Sequence, residues 1–322
     1  MSEETELQLA KLFHPYAYEA IERAKNEDLK FAHYTSADAA LSIIRNSELW
    51  MRGVAVMNDY SEIQHGQSCI ANAWKQTPYG GRLRAVLDRL QVGLVDEIVN
   101  LFDGHQPGRF KDTYLLSICE HGKEGTHESK LGRLSMWRAY GGNTNVAFVF
   151  NNRPFFSNSN ALSAYSTPVL YATEADFVIE FARLVENLEN NFDQLAALRT
   201  EDVVQHLFFA LHFAVVSTKH PGFAEEREWR VVHCPSLWPS QNIDFQVHSI
   251  NGVPQKVYTV KLQDHPTEGF VGATLPDLLE EIIIGPTEYP DPIYQALVHE
   301  LVKAGVSDAA QKVRKSNIPL RR

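Results

Sequence analysis

Two glutamates and an arginine that alternate along the chain are of the types that could act together on a sugar. They are Glu226, Glu228 and Arg230, and they lead into the β-branched pair Val231 and Val232. Alternate residues of a strand share one face, so a strand here would present both carboxylates and the guanidinium side by side. This set fits either an exposed ion-pair ladder or a site where two acids act on one sugar. The spacing alone is compatible with both.

A histidine lies where a predicted strand, about 30–34, meets a predicted helix. The segment His33-Tyr34-Thr35-Ser36 places His33 and Tyr34 on opposite faces of that strand. Ser36 is the expected N-cap of the helix. One interpretation is a core histidine beside a helix cap, and the other is a histidine that contacts a ligand.

Two aromatic residues precede a predicted strand at 145–150. Trp137 and Tyr140 are three residues apart in the segment Met136 to Gly141, so they share one face of a helical turn. Filling the core is the commonest use of such side chains. The alternative is an aromatic shelf that flanks a planar ligand.

The segment Asn58-Asp59-Tyr60-Ser61-Glu62 has the spacing of a capping box. In that motif a glutamate reaches back to a backbone N–H at the start of its own helix. We therefore expect Asp59 and Glu62 to begin a helix over about 59–74.

The familiar catalytic and metal-binding signatures are absent from the sequence. It has no Gly-rich phosphate loop, no G-x-S-x-G elbow, no H-E-x-x-H motif and no Cys-x-x-Cys pair. The three cysteines have no regular spacing, which is typical of a reducing compartment. The positions of Cys119, His121 and His127 match no standard zinc pattern, so we predict no metal site.

The overall charge argues against non-specific binding of duplex nucleic acid. The 322-residue chain has a formal net charge of −10, so it lacks a general field that attracts phosphates. A basic tail is interpreted as a solvated end; it comprises Lys312, Arg314, Lys315, Arg321 and Arg322. The first residues do not resemble a signal peptide, and the apolar run 207–216 is too short to span a membrane. A cytoplasmic location without membrane contact is expected.

The periodicity of apolar residues predicts blocks of helices separated from strands. Helices are expected over 6–25, with a break before Pro15, then after Ser36, over 59–74 and 82–102, and twice within 174–216 with a division near 190–193. Strands are expected at about 30–34, 114–119, 145–150, 228–233, 256–261 and 281–284. Because strands and helices do not alternate strictly, the pattern predicts an α+β fold.

The expected organisation is one domain over 1–322. An N-terminal helical segment, 1–28, precedes a mixed or antiparallel sheet core formed by 29–170 and 218–290. The stretch 174–216 is interpreted as a helical excursion from this core. Residues 291–322 supply a C-terminal helix and the basic tail.

In combination, these segments resemble a large bacterial family, domain-of-unknown-function family 2971. Its motifs H-Y-T-S/T, N-D-x-x-E, M-W-x-x-Y-G and E-x-E-W-R, with a closing I-I-x-G-P-like turn, correspond here to His33–Ser36, Asn58–Glu62, Met136–Gly141, Glu226–Arg230 and Ile282–Pro286. The resemblance spans about residues 30–286. The family name itself implies no chemistry.

A second resemblance is to the ADP-ribosyltransferase fold. The run from His33 through Ser42-Ile43-Ile44 to Glu48-Leu49 is similar to the opening of many such proteins, although Asn46-Ser47-Glu48 replaces the glycine usual in the turn. The pair Glu226-x-Glu228 is similar to a late E-x-E element of some members. The resemblance implies a sheet core of that type and NAD as a substrate.

The resemblance also implies roles for individual residues. Glu228 would stabilise the cationic ribose, and Glu226 would orient or deprotonate the acceptor. His33 would hold a ribose hydroxyl of NAD, and Tyr34 and Thr35 would also contact the NAD molecule. Trp137 or Tyr140 would flank the nicotinamide ring, and Arg230 would pair with the pyrophosphate or neutralise the glutamates.

Three functions remain open at the level of sequence. The first is NAD-dependent ADP-ribosyl transfer or NAD cleavage on an unknown acceptor (a protein, a small molecule or a nucleic acid), as in a bacterial toxin or phage-defence effector. The second is a non-catalytic nucleotide-binding or sensor protein. The third is a nuclease-like hydrolase using Asp59, Glu62, Glu226 and Glu228 around a divalent metal.

Overall fold

The computed structural model describes residues 3–56, 60–104, 110–250 and 252–319. Internal contacts divide the chain into two compact units. Unit 1 comprises Met1–Glu22, Gly53–Thr113 and Thr167–Ala224, and unit 2 comprises Arg23–Arg52, Tyr114–Ser166 and Glu225–Arg322. The prediction of one domain concerns folding as one cooperative unit, and it stays a prediction.

The helices of the described residues fall in blocks, as the sequence pattern indicates. They are α1 (Glu3–Phe13), α2 (Pro15–Asn26), α3 (Ala37–Asn46), α4 (Tyr60–Lys75), α5 (Tyr79–Leu90), α6 (Leu94–Gly104), α7 (His127–Leu131), α8 (Leu134–Tyr140), α9 (Glu174–Asn190), α10 (Phe192–Ala196), α11 (Thr200–Val216), α12 (Leu275–Leu278), α13 (Pro290–Lys303) and α14 (Ala309–Lys312).

The strands are short and bounded by turns. They are β1 (Phe31–Ser36), β2 (Glu48–Gly53), β3 (Tyr114–Glu120), β4 (Thr144–Phe150), β5 (Tyr165–Pro168), β6 (Leu170–Tyr171), β7 (Thr218–Lys219), β8 (Glu228–His233), β9 (Ile243–Ile250), β10 (Val253–Lys261), β11 (Leu279–Thr287) and β12 (Val313–Lys315).

Unit 1 is a helical assembly. The predicted break before Pro15 is confirmed, because α1 ends at Phe13 and α2 begins at Pro15. The helices of 174–216 belong to this unit and pack on α4, so they are part of a larger helical core. The most apolar of them, α11, buries residues on most of its surface, including His212.

Unit 2 contains a largely antiparallel sheet. Its strands lie in the order β12-β11-β4-β1-β3-β2-β10-β9, and β8 also pairs with β3. Only β11 and β12 form a parallel pair among the registers of this sheet that the structure describes. The α+β prediction is therefore confirmed.

The candidate site lies where two strands share one edge of β3. Strand β8 pairs with β3 from Tyr114 to Cys119 and occupies one edge. Strands β1 and β2 share the other edge, and β1 pairs with β3 only at Phe31 and Ala32. Beyond Ala32, β1 continues beside β4, and the described register between β1 and β3 ends. A gap between strands thus begins at His33.

One face of the sheet carries a buried cluster beneath α8. Ala32 lies opposite Cys119 on β3, and Cys119 lies opposite Glu228 on β8, so all three side chains share this face. The buried members of the cluster are Ala32, Tyr34, Cys119, Met136, Trp137, Ala147, Val149 and Ile283.

Two sequence expectations about elements require correction. The helix predicted over 82–102 is two helices, α5 and α6, because the chain turns at residues 91–93 and Gly93 adopts a φ of +86°. The stretch 174–216, expected to contain two helices, contains three, with the short helix α10 between α9 and α11.

The helix expected over about 59–74 is confirmed as α4, which begins at Tyr60 in the described residues. Asn58 and Asp59 lie outside the described residues.

Candidate functional site

The expected alternation of Glu226, Glu228 and Arg230 on one strand face is only partly correct. Strand β8 begins at Glu228, and Glu226 ends a 3-10 helix at Pro221–Glu226. Arg227 between them has a φ of +45°, a left-handed conformation that interrupts strand alternation. Glu226 therefore does not belong to the face that carries Glu228 and Arg230.

Glu228 and Arg230 form a buried ion pair. The side chains are 6% and 0% exposed, respectively. Arg230 Nε donates to Glu228 Oε1 over 2.9 Å, and Arg230 Nη2 donates to Oε2 over 3.3 Å. The interpretation as a solvent-exposed ladder is therefore wrong. A guanidinium buried this deeply requires a partner of opposite charge.

Ser117 on β3 also forms a hydrogen bond with the Glu228 carboxylate. Its hydroxyl donates to Glu228 Oε1 over 2.6 Å, and its own position in the register is opposite Arg230. Ser117 was not identified from the sequence. The only signal was a hydroxyl in the middle of the otherwise apolar run Tyr114-Leu115-Leu116-Ser117-Ile118.

His33 contacts the backbone of the same serine. Its Nδ1 lies 3.1 Å from the Ser117 carbonyl oxygen. A carbonyl only accepts, so Nδ1 carries the proton and Nε2 presents a lone pair. Among the described residues Nε2 has no hydrogen-bond partner. Burial lowers the pKa of His33, although the Ser117 carbonyl opposes this, so the ring is neutral at pH 7.

The structure thus joins His33 and Glu228 through one residue. His33 binds the backbone oxygen of Ser117 at the gap between β1 and β2, and Glu228 binds the hydroxyl of Ser117. The two groups come from segments far apart in sequence. Because His33 follows Ala32 on β1, strand alternation directs its side chain to the face opposite the one that carries Glu228, and Ser117 links the two groups through different atoms.

The remaining predicted site residues occupy different environments. Trp137 is 2% exposed, donates through Nε1 to the Leu131 carbonyl over 2.9 Å, and packs edge-on against Tyr34 at a centroid distance of 4.5 Å. Tyr140 is 47% exposed at the end of α8. Thr35 lies half-buried on β1, opposite Val146. The described contacts do not bring Tyr140 or Thr35 to Ser117.

Tyr34 has a structural partner as well as its place in the cluster. Its hydroxyl accepts the backbone N–H of Arg133 over 2.8 Å. Burial raises the pKa of Tyr34, so its hydroxyl keeps its proton. The Arg133 side chain, 6% exposed, then donates to the carbonyl oxygens of Glu226 (2.6 Å) and Glu120 (2.8 Å). Arg133 therefore anchors the chain before β8, a role that the sequence did not indicate.

The described residues do not support a metal centre. They contain no group of three or more histidine, cysteine, aspartate or glutamate side chains that could hold a metal ion. Glu62 pairs with Lys219 over 3.0 Å within unit 1, whereas Glu228 belongs to unit 2. Asp59, the fourth residue of the metal-dependent alternative, lies outside the described residues.

The basic tail is largely paired where it is described. Arg314 binds Glu281 and the carbonyl oxygens of Ser129 and Lys130, and Lys315 binds Asp291. Both side chains remain about one third exposed, so these two charges are paired and still partly solvated. Arg321 and Arg322 lie outside the described residues. Among the helices that are described, none has the length and apolar character needed to cross a membrane.

Comparison with known proteins gives one family match, over part of the chain. Residues 136–231 match the model of a family described as "Protein of unknown function (DUF2971)". This confirms the family predicted from the motifs, two of which, around Trp137 and around Glu228, lie in the matched segment. No curated protein and no solved structure matches the chain.

Proposed function

We propose that the protein binds NAD and cleaves or transfers at its nicotinamide–ribose bond, with Glu228 as the carboxylate that faces the ribose. The observation that carries this proposal is that His33 and Glu228 both hydrogen-bond to Ser117, His33 to its backbone carbonyl at the gap between strands and Glu228 to its hydroxyl. Nε2 of His33 can accept a hydrogen bond from a hydroxyl group, and Glu228 is a carboxylate held in a fixed orientation. Two features support a ligand at this position: β1 diverges from β3 beyond Ala32, and Nε2 of His33 has no hydrogen-bond partner among the described residues.

The chemistry assigns a separate role to each group. When the bond between ribose C1′ and the nicotinamide nitrogen breaks, the electron pair leaves with nicotinamide and the ribose becomes oxocarbenium-like. The Glu228 carboxylate stabilises that positive charge. Nε2 of His33 accepts a hydrogen bond from a ribose hydroxyl. Water or another nucleophile then bonds to C1′ and loses its proton.

The positions of the neighbouring residues change which of them we propose to act on NAD. Arg230 fixes the orientation of Glu228, because its guanidinium contacts both carboxylate oxygens. We assign Trp137 no role beside the nicotinamide ring, since its indole is buried against Tyr34. Tyr140, with an exposed ring, keeps that proposed role. Glu226 is assigned no step on the ribose, because it precedes the strand.

The test is nicotinamide release from NAD by the purified protein. We expect Glu228→Gln to lower the rate on the order of 10²-fold or more, the usual effect of removing an electrostatic stabiliser of a transition state. Glu225→Gln is the matched control, because Glu225 is exposed on the 3-10 helix before the strand. Both variants are assayed below their unfolding temperatures. Absence of NAD binding and of nicotinamide release with water, protein and nucleic-acid acceptors would refute the proposal.

A non-catalytic nucleotide-binding or sensor protein is the second candidate, and one observation favours it. Both oxygens of Glu228 are already engaged by Arg230, and one also accepts from Ser117. A carboxylate neutralised in this way stabilises a developing cation less than a free one does. This candidate predicts saturable NAD binding by calorimetry without nicotinamide release. A role as a toxin or phage-defence effector rests on the first candidate alone.

A further inference from the structure

Unit 1 contains a cavity that has no part in the proposed site. It has a volume of about 110 Å³ and lies where the α1–α2 junction faces α9 and α11. Its walls include Phe13, His14, Phe177, Phe181, Ala210 and Ala214. This volume is somewhat smaller than the roughly 150 Å³ of an apolar cavity that binds benzene, so the space limits a ligand to a single six-membered ring.

The cavity has a local cause in the sequence. Proline at position 15 ends α1 and starts α2 in a new direction, because its ring cannot continue the preceding helix. On the facing side, Ala210 and Ala214 are four residues apart and therefore lie one above the other on α11. Two methyl groups leave space where larger side chains would fill it.

Most polar groups in the wall are satisfied within the protein. The Thr218 hydroxyl donates to the Ala214 carbonyl over 2.7 Å, and the Ser217 hydroxyl donates to the Phe213 carbonyl. Tyr16 donates to the Val169 carbonyl over 3.0 Å, and Glu180 pairs with Arg183 over 2.8 Å. The wall therefore offers carbon surface and no unpaired charge from these groups.

His14 is the exception. Among the described residues neither of its ring nitrogens has a hydrogen-bond partner, and the ring packs edge-on against Phe213 at a centroid distance of 6.2 Å. Burial, followed by the charge of His206, lowers the pKa of His14 to about 4. The ring is therefore neutral at pH 7 and offers one N–H donor and one bare nitrogen.

We propose that this cavity binds a small neutral aromatic molecule with one hydroxyl group, of the phenol class. The ring would contact Phe177, Phe181 and the two alanines, and the hydroxyl would hydrogen-bond to the His14 ring. Ligand sites of this kind combine an apolar wall with a few orienting polar groups. An ionised ligand is disfavoured, because Glu180, the charged side chain among the described lining residues, is already paired with Arg183, and burial of an unpaired charge is costly.

The experiment compares 4-fluorophenol with fluorobenzene by ¹⁹F NMR titration of the full chain. We expect saturable binding of both and a roughly 2- to 10-fold preference for the phenol, the net effect of one hydrogen bond. His14→Phe keeps an aromatic ring beside Phe213, and it should remove the preference while fluorobenzene still binds.

Filling the cavity provides the second arm. Ala214→Leu should abolish binding of both compounds, whereas the matched change Ala71→Leu, at an exposed position of α4, should leave it unchanged. A third readout needs no variant: 4-fluorophenol should shift the ring nitrogen resonances of His14 in the wild-type protein. Equal affinity for the two compounds, undiminished binding to Ala214→Leu, or the absence of saturable binding would overturn the proposal.

Discussion

Removing one partner of the Glu228–Arg230 pair should destabilise unit 2 far more than removing both. Arg230 is fully buried and Glu228 is 6% exposed. Glu228→Leu or Arg230→Met would each leave a buried charge without its partner, at a cost of about 3–5 kcal/mol. If the two effects were independent, the double variant would lose about 6–10 kcal/mol. We expect instead a double variant within about 1–2 kcal/mol of the wild type, because it buries no charge.

Urea unfolding followed by tryptophan fluorescence can measure this difference in unit 2. Four of the five tryptophans lie in that unit, and Trp74→Phe removes the one in unit 1. In this background, Lys123→Met is the control, since Lys123 and Glu27 form an exposed pair in unit 2 and should contribute at most about 1 kcal/mol. Additive losses in the double variant, or single losses no larger than that of the control, would refute a buried, mutually dependent pair.

Three further predictions concern packing, pH and thiol reactivity. Gly285→Ala should lower the free energy of unfolding by about 1–3 kcal/mol, because a Cβ there would lie 2.7–2.8 Å from Asn145 Cβ and the Trp137 ring. The control Gly81→Ala, at a position with open space around it, should not lower the unfolding temperature. The pKa of His14 is about 4 in the folded protein and 6.5 in the unfolded chain, so the unfolded chain binds more protons between these pH values. Stability should therefore fall as the pH drops from 6.5 to 4, and it should fall less steeply in the variant His14→Phe. An equal slope in that variant would contradict the assignment. Burial raises the pKa of Cys119 to about 12 and that of Cys69 to about 11, so iodoacetamide at pH 7.5 should label neither thiol until the protein unfolds, as mass spectrometry can check.

Much of the local structure was predictable from residue patterns. Strands β3, β4 and β8 agree with the predicted strands 114–119, 145–150 and 228–233 to within one residue at each end. These segments are rich in β-branched and aromatic residues, which suit a pleated surface. Ser36 caps α3 as expected, with its hydroxyl accepting from the Ala39 N–H over 3.3 Å.

The errors arise where a single backbone conformation changes the pattern. Arg227 is left-handed, so the alternation assumed for Glu226 and Glu228 does not hold. Gly93 has the same effect on the helix predicted over 82–102. Neither conformation follows from hydrophobic periodicity, because periodicity reports which side chains are buried and not the dihedral angles between two elements.

The sequence by itself determined the types of the elements, the α+β class and the residues that could do chemistry. These depend on short-range spacing, which repeats every 2 residues in a strand and every 3.6 in a helix. Only the tertiary structure decided that Ser117 joins His33 to Glu228, and that Trp137 is core. The first fact depends on which strands pair and in which register, and register is set by the packing of distant segments against one another. The second depends on the packing of α8 against Tyr34 of β1.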